Sequence, residues 1–261
     1  MHYKRSFVTS VTGLVLTGVF TATAWAAGPC ADVPTYAQLQ PALAAARAAA
    51  NGGFNLDMWA TVVNRDGIVC AVAFTGGDRG DQWPGSRVIS AQKANTANAF
   101  SLPHLALSTA NLYSAVQPGG SLFGLQLSNP VNTDVAYAGD AANYGTAGDP
   151  MVGGKIGGVN VFGGGLALYN AQGKLVGAVG VSGDTSCADH NIAWRTRAAL
   201  GLDHVPAGVA GGTHLDNIIF DIKTNPKQMD GVSDSGWGHP HCGPGSANGE
   251  TALAAALPPT Q

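Results

Sequence analysis

The sequence is poor in charge. Only 11% of its 261 residues are Asp, Glu, Lys or Arg, against roughly 25% in an ordinary soluble domain. It has no HExxH, no phosphate-binding GxxxxGK and no paired CxxC, which removes the common zinc-peptidase, P-loop and zinc-ribbon readings. Gly180-Val181-Ser182-Gly183-Asp184 lacks the last glycine of a nucleophile elbow, so a hydrolase has little support. Apart from the N-terminus, no run is apolar for long enough to span a bilayer.

At that N-terminus, Lys4 and Arg5 precede an apolar run from Phe7 to Phe20 and the small-residue triplet Ala24, Trp25, Ala26. This is the layout of a cleavable secretory signal over residues 1 to about 26, and it predicts a periplasmic or secreted protein with no membrane span after processing. Removing 26 of 261 residues leaves 235, enough for a single domain over 27–261. The signal takes two basic residues and no acids, so 11 basic residues face 16 acidic ones and the mature net charge is −5. Nucleic acid and anionic membranes reward clustered Lys and Arg, so neither is expected as a partner.

What is abundant is glycine, 37 residues, together with an apolar content of 45% that is sufficient for a core. Four cysteines, Cys30, Cys70, Cys187 and Cys242, outlast processing, and an even number in an oxidising compartment favours disulfides. Three pairings are possible. The preferred one joins Cys30 to Cys70 and Cys187 to Cys242, tying the new N-terminus to the first hairpin and the glycine-rich tail to the body.

Thr35 and Gln38 form a capping box, Leu39, Leu43, Ala46 and Ala50 recur on one face, and Asn51-Gly52-Gly53 stops the helix. Met58 to Asn64 and Ile68 to Phe74 read as a hairpin around Asn64-Arg65-Asp66-Gly67. Ser86 to Phe100 reads as a second helix and Leu105 to Val116 as a third, broken at Pro103. From about 117 to 158 the chain reads as a long loop insertion. Leu166 to Tyr169 and Leu175 to Ser182 form a second hairpin, Cys187 to Leu200 a further helix, and an extended tail runs from about 201, with Asn217 to Ile222 as a short added strand. The order α-β-β-α-α-β-β-α predicts an α+β fold in which helices pack on an antiparallel sheet.

Several segments, in this order, carry a resemblance. They are Val62-Val63-Asn64-Arg65-Asp66-Gly67, the helix Ala91 to Phe100, Gly163-Gly164-Gly165, and Val176 to Gly183. Together they resemble the GlcG/HbpS-like haem-binding family, which includes the C-terminal domain of PduO-type proteins. The resemblance covers most of the chain outside the insertion and the tail. It implies a sheet of about five antiparallel strands flanked by helices, a homo-oligomer, and non-covalent binding of haem b, with haem degradation or redox sensing in some members. A sensor or receptor protein would be a further partner. The chain departs from the family where Cys187-Ala188-Asp189-His190 replaces a Gln-Asp-Glu run, and where Leu166 stands in place of a proline.

Haem iron needs an axial donor, an apolar slot and donors for the propionates. His104, among Leu102, Leu105 and Leu107, is the first candidate for the iron, and Tyr113 could supply a phenolate instead. Lys93, with Arg79 and Arg87 before it, suits the propionates. His190 beside Asp189 is a second candidate metal ligand, and His239-Pro240-His241 before Cys242 resembles a small metal clip. Each also has a plain structural reading, as a capping, core or solvated side chain. No CxxCH is present, so covalent haem has no motif. No catalytic residue is assigned. The leading expectation is an exported protein that sequesters or senses haem. The alternatives are an enzyme degrading haem or a small organic acid in the same pocket, and an interaction module without a ligand.

Overall fold

The computed structural model describes Met1 and residues 28–223, 232–243 and 247–261; the signal segment lies outside the described residues apart from Met1. In chain order come α1 (Tyr36–Ala48), β1 (Trp59–Asn64), β2 (Val69–Phe74), α2 (Ser86–Phe100), the short α3 (Leu125–Ser128) and α4 (Thr133–Ala136), β3 (Gly165–Tyr169), β4 (Leu175–Ser182), α5 (Ser186–Ala199), β5 (Ile222–Lys223), β6 (Val232–Ser233) and α6 (Ala247–Ala255). The main sheet is antiparallel with strand order β2-β1-β4-β3. Among the described residues it has four strands, where the resemblance implies about five. In place of a fifth, loops bond to both flanks: Gly153 and Gly154 exchange backbone hydrogen bonds with Val69 of β2, and Tyr169 of β3 donates to the carbonyl of Leu202.

One face of the sheet buries Ala60, Val62, Leu166, Leu168, Val179 and Val181 against Leu39 and Leu43 of α1 and Ile192 and Trp194 of α5. The other face carries Trp59, Val63, Val72 and Ala178 beneath α2, which offers Val88, Ala91, Ala94 and Ala97. The small residues of α2 let it approach closely. At Gly180 a Cβ would collide with the carbonyl oxygen of Ser90 and the amide of Ala94, and at Gly165 it would meet the carbonyl of Lys93. Glycine in β4 is therefore a packing requirement set by the helix above it.

Both proposed disulfides are present, with Cα atoms 5.6 Å apart for Cys30–Cys70 and 6.0 Å for Cys187–Cys242. The capping box on Thr35 is formed, and the Asn51 side chain ends α1 by donating to the carbonyls of Ala46 and Ala49.

Two expected elements differ. Leu105 to Val116 is not an α-helix: Leu102 and Leu105 close a tight turn, Ala106 bridges to Gly208, and only single 3-10 turns follow at Ala110–Leu112 and Ser114–Val116. The cause is local. Ser108 donates its amide and hydroxyl to Asn111 Oδ1, while Thr109 exchanges hydrogen bonds with Gly165, so the backbone has partners other than its own turns. Asn217 to Ile222 likewise holds only the first residue of the two-residue β5, because Asn217 is engaged sideways by His190 and the carbonyl of Ala254. The insertion folds as short helical turns over the α2 face, pinned by the buried pair Arg87–Asp149.

Gly180→Ala should destabilise the protein by about 3 kcal/mol or more, because the blocking atoms are backbone and cannot rotate away. Gly148→Ala, which meets only Thr146 Oγ1 at 3.8 Å, should stay within about 0.5 kcal/mol. Urea unfolding of the two variants checks the contrast, and equal losses would contradict the packing account.

Candidate functional site

A cavity of about 460 Å³ opens at the N-terminal end of α2, within the size range of small-molecule sites. Its floor is Trp59 of β1, one wall is the segment Asp78–Val88, and the other is the insertion, through Tyr137, Ala141 and Tyr144. Trp59 is only 1% exposed and leans on Phe74 with ring centroids 5.2 Å apart, and its buried indole N–H has no acceptor among the described residues. In the same chain segment, Gln82 is 3% exposed and neither end of its amide has a partner among the described residues. Buried donors left unpaired cost stability, and such groups in native proteins call for a reason. The first turn of α2 holds no acid, and its leading amides are already bonded: Ser86 N–H donates to the carbonyl of Trp83 and Arg87 N–H to that of Pro84.

The two arginines at the cavity have different tasks. Arg87 is buried, donates from Nε and Nη2 to the two oxygens of Asp149 and from Nη1 to the carbonyl of Ala136, and lies 3.6 Å over the Tyr144 ring. It builds the wall. Arg79 is exposed and has no ion pair among the described residues, so its guanidinium is available to a ligand. Tyr137 is 64% exposed and presents a phenol at the rim. The arrangement suits a largely apolar ligand bearing a carboxylate.

Of the residues singled out in the sequence, only Arg79 and Arg87 line this cavity. Lys93 lies 1% exposed, with Nζ 2.7 Å from Asp189 Oδ2 and 3.1 Å from the carbonyl of Val181, so its ammonium is engaged and not offered to a propionate. His104 sits exposed on the turn after α2. Arg87 and that turn are at opposite ends of the helix, roughly 20 Å apart at 1.5 Å per residue, so they do not meet on one small ligand within a protomer. Tyr113 packs its ring on His239 at 5.0 Å. His190 is fully buried, its Nε2 3.0 Å from Asn217 Oδ1, and the neighbouring Asp189 turns to Lys93 instead of orienting it. His239 and His241 do not converge as a clip: His241 pairs with Glu250 and stacks on Phe220, while His239 turns towards Ser186 and the second disulfide.

The family model described as "Haem degrading protein HbpS-like" matches residues 35–198. The chain belongs to the HbpS-like family. Among solved structures, this HbpS-like chain is similar to the Klebsiella pneumoniae protein ORFY at 27% identity, covering 64% of this chain and 90% of the other with a TM-score of 0.43. A PduOC complex with haem shares 24% identity over 62% of this chain and 89% of its own, TM-score 0.43. A double mutant of Streptomyces reticuli HbpS shares 16% over 74% and 99%, TM-score 0.40. No curated protein matches the sequence. Membership of the HbpS-like family rests on the match over 35–198 and not on these superpositions.

Trp59, Tyr137 and Tyr144 escaped the sequence reading because they lie in a strand and a loop far apart in the chain, and only the folded insertion brings them together.

Burial also sets the proton chemistry of the HbpS-like core. It drives the imidazole of His190 down to about 3 and that of His239 down to about 4. It pushes the Asp189 carboxyl up to about 6 against the pull of Lys93, whose own pKa burial lowers. Unfolding below pH 6.5 therefore protonates both histidines, so their stabilisation is present above 6.5 and is lost as the pH falls towards 4 and 3. Asp189 has the opposite sign between about 6 and 4 and offsets one of them. The net expectation is a loss on the order of 1.4 kcal/mol per pH unit between pH 6 and 4.5. Urea unfolding at pH 6.5, 5.5 and 4.5 checks this, and stability that rises on acidification would contradict it.

Proposed function

We propose that this is an exported protein that binds haem b non-covalently in the cavity at the start of α2, to sequester or sense it. The observation that carries the reading is the aromatic-lined cavity of about 460 Å³ with the exposed guanidinium of Arg79 at its mouth. These residues fit the group. Haem supplies a Lewis-acidic iron and two carboxylates; Arg79 would hold a propionate, and the phenol oxygen of Tyr137 would be the donor to the iron, since among the described residues no histidine, cysteine or methionine lines the cavity. Arg87 and Tyr144 position the wall. Membership of the HbpS-like family supports the ligand class, the signal at 1–26 supports export, and Phe123 and Leu127, 65% and 88% exposed, support self-association. A sensor or receptor protein would read the loaded form.

Titrating the mature protein with haemin should give a saturable Soret shift at micromolar concentration. Arg79→Ala should weaken binding roughly 10- to 100-fold, as loss of a charge-assisted bond does, and Tyr137→Phe should change the Soret position. His104→Ala should leave both untouched. Absence of any saturable shift would refute haem binding, whereas a shift abolished by His104→Ala alone would move the site to the far end of α2. The family description also favours a second reading, haem degradation. With a reductant in air, loss of the Soret band with release of iron would support that enzyme, and a persistent band the binding protein.

A further inference from the structure

The second disulfide lies at the first turn of α5, and its surroundings exceed what a structural cross-link requires. Both sulfurs, of Cys187 and Cys242, and a ring nitrogen of His239 lie within 4.8 Å of one another. His239 is 1% exposed, and its Nδ1 is 2.7 Å from the carbonyl oxygen of Pro240. A carbonyl can only accept, so Nδ1 carries the ring proton and Nε2 keeps its lone pair. This is the way a metal-binding imidazole is usually oriented, by a carbonyl on its far nitrogen. Nε2 lies 3.2 Å from the hydroxyl of Ser186, which is itself 3.3 Å from Cys242 Sγ. The backbone N–H of Cys187 donates to Cys242 Sγ at 3.0 Å, in the first turn of the 14-residue α5. An amide and a helix N-terminus directed at a sulfur favour its thiolate once the bridge is open. Cys242 is half-buried and so reachable, whereas Cys187 is 4% exposed.

We propose that reduction of Cys187–Cys242 turns this corner into a Cys₂His site for a zinc-class divalent ion, with solvent in the fourth position. A dithiol reductant supplies two electrons and two protons and leaves as its own disulfide, while the S–S bond becomes two thiols. The ion then displaces the two thiol protons and takes the Nε2 lone pair. Zinc sits about 2.3 Å from sulfur and about 2.0 Å from nitrogen, so its donors stand roughly 3.5–4 Å apart, and the three atoms need only side-chain rotation to reach that spacing. The oxidised protein has no thiolate to offer here, so the site is gated by redox state. It is independent of the haem cavity.

The test uses the full mature chain, reduced with dithiothreitol, desalted without air and titrated with Co²⁺ beside the oxidised protein. The reduced protein, folded by circular dichroism, should bind one equivalent with a thiolate-to-cobalt charge-transfer band that Zn²⁺ abolishes. The oxidised protein should show no such band. His239→Ala should weaken the affinity on the order of 10- to 100-fold, and Cys187→Ser should remove most of the charge-transfer intensity. The proposal is overturned if the folded, reduced protein gives no band, if reduction unfolds the domain, or if His239→Ala binds Co²⁺ as tightly as the parent.

Discussion

The fold turns on the contact between α2 and β4. The helix lies so close to the sheet that Gly180 of β4 and Gly165 of the adjacent β3 have no room for a side chain, and from the same stretch Lys93 reaches Asp189 of α5 across the end of the sheet. Burying a charge is tolerable only beside its opposite, and losing one partner of such a pair typically costs about 3–5 kcal/mol. The helix–strand spacing and the ion pair therefore reinforce each other. With α2 fixed in this way, its first turn becomes a rigid platform, and Trp59, Arg79 and Tyr137 are arranged around that end.

Two more buried pairs extend the same logic outward. Arg87–Asp149 fastens the insertion to α2, and Arg197–Asp216, with no exposure on either side chain, fastens the tail to α5. The 117–158 segment and the tail are thus joined to the sheet and its helices by buried charge, and the tail also by the Cys187–Cys242 bridge.

How much of this could be read in advance depends on how local the cause is. Helix α2 has its expected bounds because its small residues and the break at Pro103 are local facts, and α1 is announced by Thr35, Gln38 and Asn51. The stretch 105–116 has helical apolar spacing, but Ser108, Thr109 and Asn111 compete for its backbone, and one of the winning partners, Gly165, is remote in sequence. Lys93 and Arg87 read as cations awaiting an anionic ligand because their partners stand 96 and 62 residues away. The cavity was the least legible part. Trp59 looks like any strand residue until the fold sets it as the floor of the cavity.

Arg87 serves at once as a helix residue, a clamp on Asp149, a donor to the carbonyl of Ala136 and a lid over the Tyr144 ring. Excising the 117–158 segment would leave this guanidinium stranded in an oily seam with nothing to neutralise it. The segment and the arginine are thus interdependent, and a trimmed version of the protein would need a neutral side chain at that point of α2.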